Sequence, residues 1–137
     1  MSYAMGGALQ AAVFQHLLND PGVSALVGAD IYDAAPSGTL PETFVTLGPE
    51  EVRDRSDKSG PGAIHRFTVT VLSTAAGFAP AKAVATAVGD ALLNAQVPLS
   101  RGHLVGVWFE RASARRTGRA GEFRRIEMRF RARVQDD

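Results

Sequence analysis

The sequence contains no cysteine, which excludes a disulfide-stapled scaffold, a zinc site built on thiolates and a cysteine nucleophile. No apolar run reaches the ~18 residues that a membrane-spanning helix needs, so no membrane partner is expected. The N-terminus has neither a basic leader region nor a signal-like apolar segment. This pattern predicts a protein that is cytoplasmic when it is synthesised.

Motifs for catalysis and ligand binding are equally scarce. The three histidines, His16, His65 and His103, are far apart and have no carboxylate cluster at metal-ligand spacing. No glycine-rich loop precedes Lys-Ser/Thr, and no serine lies in a G-x-S-x-G turn. Asp54 and Asp57 lie among basic residues, which favours ordinary ionised carboxylates over an acid–base pair. We therefore expect no enzymatic activity, no cofactor and no metal.

A chain of 137 residues fits one domain, residues 1–137, and buries enough surface to fold without a disulfide or a metal. Apolar residues at every fourth position predict a helix over 4–19, which Pro21 ends. A second helix opens near Pro80, and its apolar stripe is rich in alanine. The members of that stripe are Ala81, Val84, Val88, Ala91, Leu92 and Ala95.

Strand composition recurs between and after the two predicted helices. Ile31–Asp33 is a short extended piece, Thr43–Leu47 reads as a strand that continues towards Val52, and Ile64–Ser73 alternates apolar and polar residues. One more strand starts at Val105, and the last follows Gly121. The predicted fold is α+β: a mostly antiparallel sheet of four to five strands with two helices on one face, in the order α-β-β-α-β-β, with a long C-terminal hairpin.

The last strand has the most regular pattern in the chain. From Ile126 onwards the even positions carry apolar residues, ending at Val134, whereas the odd positions are charged. Such an alternation predicts one buried face and one face towards water or a charged partner. The charged face carries a column of four arginines, interrupted by Glu127: Arg125, Arg129, Arg131 and Arg133.

Positive charge is concentrated at the C-terminal end. Residues 1–100 contain five Lys/Arg and nine Asp/Glu, a net charge of −4, whereas residues 101–137 contain ten Arg and five Asp/Glu, a net charge of +5. Two strands of 12–14 residues would measure about 40–47 Å, more than the diameter of about 37 Å expected for a domain of this size. The C-terminal hairpin must therefore curl or project beyond the body.

The arginine column permits three interpretations. Arginines at every second position can follow a phosphate backbone, so a small nucleic-acid-binding module, or another assembly module using this strand, is the alternative function. Glu127 and the modest isoelectric point of 8.2 oppose this interpretation. A solvated strand face with cross-strand pairs to Glu110 is a second possibility. A subunit contact is the third.

The most polar stretch is Glu50–Gly62, and its composition predicts a mobile loop between two strands that becomes ordered on contact with a partner. Its charged residues form a candidate interaction loop: Glu50, Glu51, Arg53, Asp54, Arg55, Asp57 and Lys58.

Several short motifs occur in a recognisable order. They are Leu26-Val27-Gly28, Ile31-Tyr32-Asp33-Ala34-Ala35-Pro36, a Pro-x-x-Phe-Val-x-Leu-Gly strand over Pro41 to Gly48, a Phe-Thr-Val-x-Val strand, and a Gly-Phe-x-x-Ala-Lys-x-x-Ala helix over Gly77 to Ala85. Together with the closing Arg-rich strand, they resemble the tail terminator or tail-completion proteins of long-tailed phages. The resemblance is strongest to those of phage-like gene transfer agents.

That resemblance implies a structural virion protein at the head-proximal end of the tail, assembled in the bacterial cytoplasm. Its expected partners, as the resemblance implies, are further copies of itself in a hexameric ring, the tail tube protein, and a head–tail connector or stopper protein. Double-stranded DNA would pass through the ring. In this setting we expect the face of Arg125, Arg129, Arg131 and Arg133 to lie at the subunit interface or channel wall, paired with carboxylates such as Glu50, Glu51 or Asp54.

Overall fold

The computed structural model describes residues 3–58, 60–93 and 96–136. Its helices are α1 (Gly6–Asn19), α2 (Pro21–Val27) and α3 (Ala79–Leu93), and its strands are β1 (Ile31–Tyr32), β2 (Thr43–Asp54), β3 (Gly62–Ser73), β4 (His103–Thr117) and β5 (Phe123–Gln135). A short 3₁₀ turn, Arg119–Gly121, joins β4 to β5. None of the helices in the described ranges is long and apolar enough to cross a membrane.

The strands form one sheet of five in the order β1-β2-β3-β5-β4. β1 pairs parallel to β2, and the other three pairings are antiparallel. The predicted α+β class, the mostly antiparallel sheet and the long C-terminal hairpin are therefore confirmed. The predicted order α-β-β-α-β-β becomes α-α-β-β-β-α-β-β, because the short β1 is a separate strand paired with β2 and α2 is a separate helix. The start of α2 is set by the Asp20 side chain, which accepts from the Val23 amide at 3.0 Å, and by Pro21 in the first turn.

The hydrophobic core lies between the helices and one side of the sheet. From α1 come Leu9, Val13 and Leu17, and from α3 come Val84, Val88 and Leu92, each buried. The even positions of β5 meet them as predicted: Ile126, Met128, Phe130, Ala132 and Val134 are at most 4% exposed. The predicted stripe residues Ala81 and Ala91 of α3 are likewise buried, whereas Ala95, predicted to extend the stripe, lies outside the described residues.

The prediction of a loop over Glu50–Gly62 was wrong for the N-terminal part of this range. Strand β2 continues through Asp54, because Glu50 to Asp54 pair with Phe67 to Ala63 of β3. A bulge between Leu47 and Glu50 takes up Gly48 and Pro49, so the proline costs no ladder hydrogen bond. Polar residues are tolerated there because β1 is too short to cover this half of β2, which is an open sheet edge. The loop itself shrinks to residues 55–61, of which Ser59 lies outside the described part.

The outer strand of the C-terminal hairpin, β4, is less covered than its inner strand, β5. Along β4, every residue from Trp108 to Arg116 is exposed, on both faces of the strand. The hairpin nevertheless stays within the sheet, because β5 pairs with β3 from Arg124 to Gln135, so the predicted projection beyond the body is not observed. β4 is also an edge strand, since its only sheet neighbour is β5.

Candidate interaction surface

The register of the sheet places the predicted arginine column on the face opposite the helices. β5 lies between β3 and β4, so Arg125, Arg129, Arg131 and Arg133 are flanked by two strands along their whole length. All four are half-buried rather than fully solvated. The column therefore lies within a continuous polar surface, here called the outer face, and its charges depend on neighbours from β2, β3 and β4.

At the hairpin end of the outer face, Glu127 neutralises two arginines. Arg125 donates through Nε to the Glu127 carboxylate at 2.7 Å, and Arg115 of β4 approaches the same oxygen at 3.5 Å. The hydrogen bond from Arg125, with the nearby charges of Arg115 and Arg111, lowers the pKa of Glu127 despite its partial burial. The glutamate that interrupts the column thus compensates its charge.

In the middle of the outer face, Glu110 and Glu51 compensate Arg129. Glu110 sits at a bulge in β4 between Phe109 and Arg111, and accepts from Arg66 Nε at 3.1 Å. Arg129 lies 3.4 Å from Glu110 and 3.7 Å from Glu51. A hydrogen bond from Arg53, assisted by the charges of Arg129 and Arg66, lowers the pKa of Glu51. The cross-strand pairing with Glu110 that the sequence suggested is present.

The far end of the column is less compensated. Arg131 stacks on the Trp108 ring with its guanidinium 5.0 Å from the ring centroid. Arg133 contacts Asp57 at 3.2 Å, and its Nε is buried without a hydrogen-bond partner. These residues line an open groove of about 490 Å³, completed by Arg53, Asp54, Arg55, Ile64 and Arg66. This depression is called the arginine groove below.

Only part of the candidate interaction loop pairs with the arginines of the column. Glu51 and Asp57 each contact an arginine of the column, whereas Arg55 and Lys58 are exposed and Asp54 accepts from Ser56 at 2.8 Å. Arg53 pairs with Glu51 at 2.9 Å.

Glu50 is on the other side of the sheet, opposite Phe67, where it accepts from the Tyr3 hydroxyl and contacts His65 Nδ1 at 3.5 Å. The bulge at Gly48-Pro49 causes this reversal, because a one-residue shift moves a side chain to the opposite face. For the same reason, the contact of Glu50 with Tyr3 and His65 was not predicted from the sequence, and the polar character of Glu50 gave no indication of it.

Two of the three histidines occupy structural positions. His16 Nε2 lies 2.8 Å from the Ala91 carbonyl oxygen and so ties α1 to α3, and His65 is fully buried in β3. No group of three or more His, Asp or Glu within residues 3–58, 60–93 and 96–136 is arranged to hold a metal ion. His16 and His65 thus stabilise the fold.

Edge strand β4 adds exposed apolar surface, with Trp108 on the outer face opposite Arg131 and Phe109 on the helix side opposite Phe130. Val105, Trp108 and Phe109 are 49%, 43% and 50% exposed. Large exposed apolar residues beside an unpaired strand edge are typical of a protein–protein contact. An open β4 edge with exposed apolar side chains, next to a partly compensated ionic face, is typical of a protein that assembles with other chains.

Comparisons with known proteins agree with this class. The chain belongs to the family described as Tail completion protein gp17, whose sequence profile matches residues 11–135. It is therefore a structural component of a phage-type tail and not an enzyme.

A solved structure supports the same assignment over nearly the whole chain. A chain in the virion of a native gene transfer agent (GTA) particle is 57% identical, with a TM-score of 0.91 over 98% of this chain and 99% of that chain. A search of curated proteins gave no match. The resemblance expressed by the sequence motifs is thus confirmed.

Proposed function

We propose that this protein forms a ring on the end of the completed tail tube, stops its elongation and provides the joint to the head connector. The observation that carries the proposal is the full-length similarity to a chain of a GTA virion, at 57% identity. Membership of a tail-completion family supports the same role. The protein would then lie at the head-proximal end of the tail of a gene transfer agent or phage particle.

A ring requires two different surfaces on each subunit, because every copy contacts its neighbours through unlike patches. This chain has two unlike sheet edges: β4 with 15 residues and exposed apolar side chains, and β1 with two residues. The charge of the chain is also unevenly distributed, because the C-terminal hairpin is basic and the preceding body is acidic. These features support a closed ring of identical subunits, with six copies as the expected number.

The other proposed partners follow from the position of such a ring. One side would rest on the tail tube protein and the other on a connector or stopper protein, and double-stranded DNA would pass through the opening. The arginine column would then lie at the subunit interface or channel wall. Residues 55–61, the loop that remains between β2 and β3, would become ordered on contact with the tube or a neighbouring subunit.

The test uses tail tubes assembled from the tube protein of the same genome. Adding this protein at a stoichiometric ratio should stop elongation, narrow the distribution of tube lengths and place a ring at one tube end in electron micrographs. Native mass spectrometry of the released rings should give six copies. Tubes that elongate at the same rate with and without the protein would contradict the proposal.

The alternative nucleic-acid-binding function receives less support from the geometry. Carboxylates of the same chain already neutralise much of the arginine column, as with Glu127 and Arg125. Binding through phosphate contacts should weaken steeply as salt rises. Tight, strongly salt-dependent binding of duplex DNA by the free protein would favour this alternative over the ring.

A further inference from the structure

We propose that the arginine groove is an acceptor site for a carboxylate side chain from a neighbouring copy of this chain, and that the side chain is Glu42. This inference rests on the proposed ring and specifies which half of the arginine column makes the contact between subunits. Arg131 and Trp108 form the centre of the site, and Arg55 and Arg133 lie beside them.

The first argument is the unused donor capacity in the groove. In the described part of the chain neither Arg131 nor Arg55 forms an ion pair with a carboxylate, and the buried Nε of Arg133 has no acceptor. By contrast, Arg125 and Arg129 already contact glutamates of their own chain. An arginine fork accommodates a carboxylate through two parallel hydrogen bonds, so the groove matches that group.

The second argument concerns the walls of the groove. Trp108 and Ile64 provide apolar surface on either side of the guanidinium groups. Stacking on Trp108 holds the Arg131 guanidinium in place, which lowers the entropy cost of binding an anion. The groove therefore favours a carboxylate carried by a segment that also has apolar residues.

The third argument separates a carboxylate from a nucleic-acid backbone. Acidic side chains surround the groove: Asp54 lines it, Asp57 contacts Arg133, and Glu51 and Glu110 lie along the same face. A duplex would bring a series of phosphates against these carboxylates, and like charges in contact are unfavourable. A single inserted carboxylate avoids that repulsion.

The fourth argument identifies the occupant. Glu42 lies in the connection between β1 and β2, at the sheet edge opposite β4. It is exposed, forms no ion pair within the described residues, and follows Leu40 and Pro41. A ring joins opposite sides of adjacent subunits, so a carboxylate with apolar neighbours at one edge and a basic groove beside the other edge are complementary.

Trp108 is the only tryptophan in the chain and reports directly on the groove. The first experiment titrates a synthetic peptide with the sequence of residues 36–45 into the protein and follows tryptophan fluorescence. We expect a saturable change in fluorescence when the wild-type peptide is added to the wild-type protein. The affinity should be about tenfold or more lower for the Arg131→Glu variant, or for a peptide with Gln at position 42. No response, or the same response to both peptides, would overturn the proposal. A 20-base-pair DNA duplex that competes more strongly than the peptide would also overturn it.

The second experiment is a charge exchange in the ring assay. Arg131→Glu and Glu42→Arg should each raise the protein concentration needed for rings about tenfold or more, and the double variant should restore assembly. Arg119→Glu, the same charge change on the exposed turn between β4 and β5, is the matched control and should assemble normally. Circular dichroism verifies that each variant is folded.

The two experiments separate this inference from the function on which it rests. If the wild-type protein forms rings and the double variant does not recover them, the groove assignment is wrong and the ring stands. If the wild-type protein caps no tubes, the proposed function fails, and the peptide titration still decides whether the groove binds the Glu42 segment.

Discussion

On the helix side of β5, five apolar side chains are at most 4% exposed, whereas on the outer side four arginines and Glu127 are half-buried and largely paired. The first face removes apolar area from water, at about 25 cal/mol per Å², and so supplies most of the stability of the sheet. The second exchanges hydration for ion pairs and gains little from each one. One strand thus separates the folding of the subunit from its interactions.

The largest expected effect tests the buried face. Phe130 is fully buried, stacks on Phe67 with ring centroids 5.6 Å apart, and meets Phe109 edge-on at 5.9 Å. Phe130→Ala should lower the free energy of unfolding by about 3–5 kcal/mol, because a buried cavity replaces the ring. Urea denaturation followed by circular dichroism measures the change.

The neighbouring residue provides the control for this comparison. Arg131→Ala removes a half-buried cation from the outer face and should cost about 1 kcal/mol or less. If the two substitutions destabilised the protein equally, the division of roles between the faces would be wrong.

A smaller effect tests the centre of the outer face. Glu110 is shared by Arg66 and Arg129, so Glu110→Ala should cost about 1 kcal/mol by leaving both cations less compensated. In a double-mutant cycle with Arg129→Ala, the two losses should be less than additive. Strict additivity would show that this ion pair contributes nothing to stability.

The smallest effect is a pH dependence at Glu127. Its pKa is lowered in the folded protein, chiefly by the hydrogen bond from Arg125, so its ionised form stabilises the fold above its ordinary pKa of 4.5. This contribution should be lost as the pH falls below about 4.5, through the lower pKa of the folded state.

Comparison of the wild-type protein with Glu127→Gln measures this contribution. Partial exposure to solvent limits it to a few tenths of a kcal/mol, up to about 1 kcal/mol. The difference in unfolding free energy should be present at pH 7 and vanish in acid. A difference that persists unchanged at pH 2–3 would contradict the assignment to ionised Glu127.

Sequence periodicity was sufficient for features that depend on one segment. The apolar positions of β5 and the end of α1 before Pro21 are local patterns, and both were predicted correctly. The faces of Glu50 and Glu51 were not predictable, because the bulge at Gly48-Pro49 decides which of them reaches Arg129. Pairing between β2 and β3 likewise turned polar residues of an expected loop into a strand, and no local composition signals such a tertiary effect.

The arginine groove could not be predicted from the sequence for a related reason. Trp108 and Arg131 are directly opposite each other in the register between β4 and β5. The bulge between Phe109 and Arg111 shifts that register farther along the hairpin. The sequence around Trp108 does not indicate which residue its indole ring contacts. Its stacking on one arginine of the column became visible only with the alignment of the two strands.

The open edge of β4 also has a consequence for the supply of unassembled subunits. An unpaired strand of 15 residues invites pairing with other chains, which leads to aggregation. Two bulges interrupt this edge, and Arg111, Arg115 and Arg116 add repulsive charge along its exposed part. Proteins protect strand edges from self-association by these same means. We therefore expect newly made subunits to remain dispersed in solution until a complementary surface is available, rather than to join one another at random.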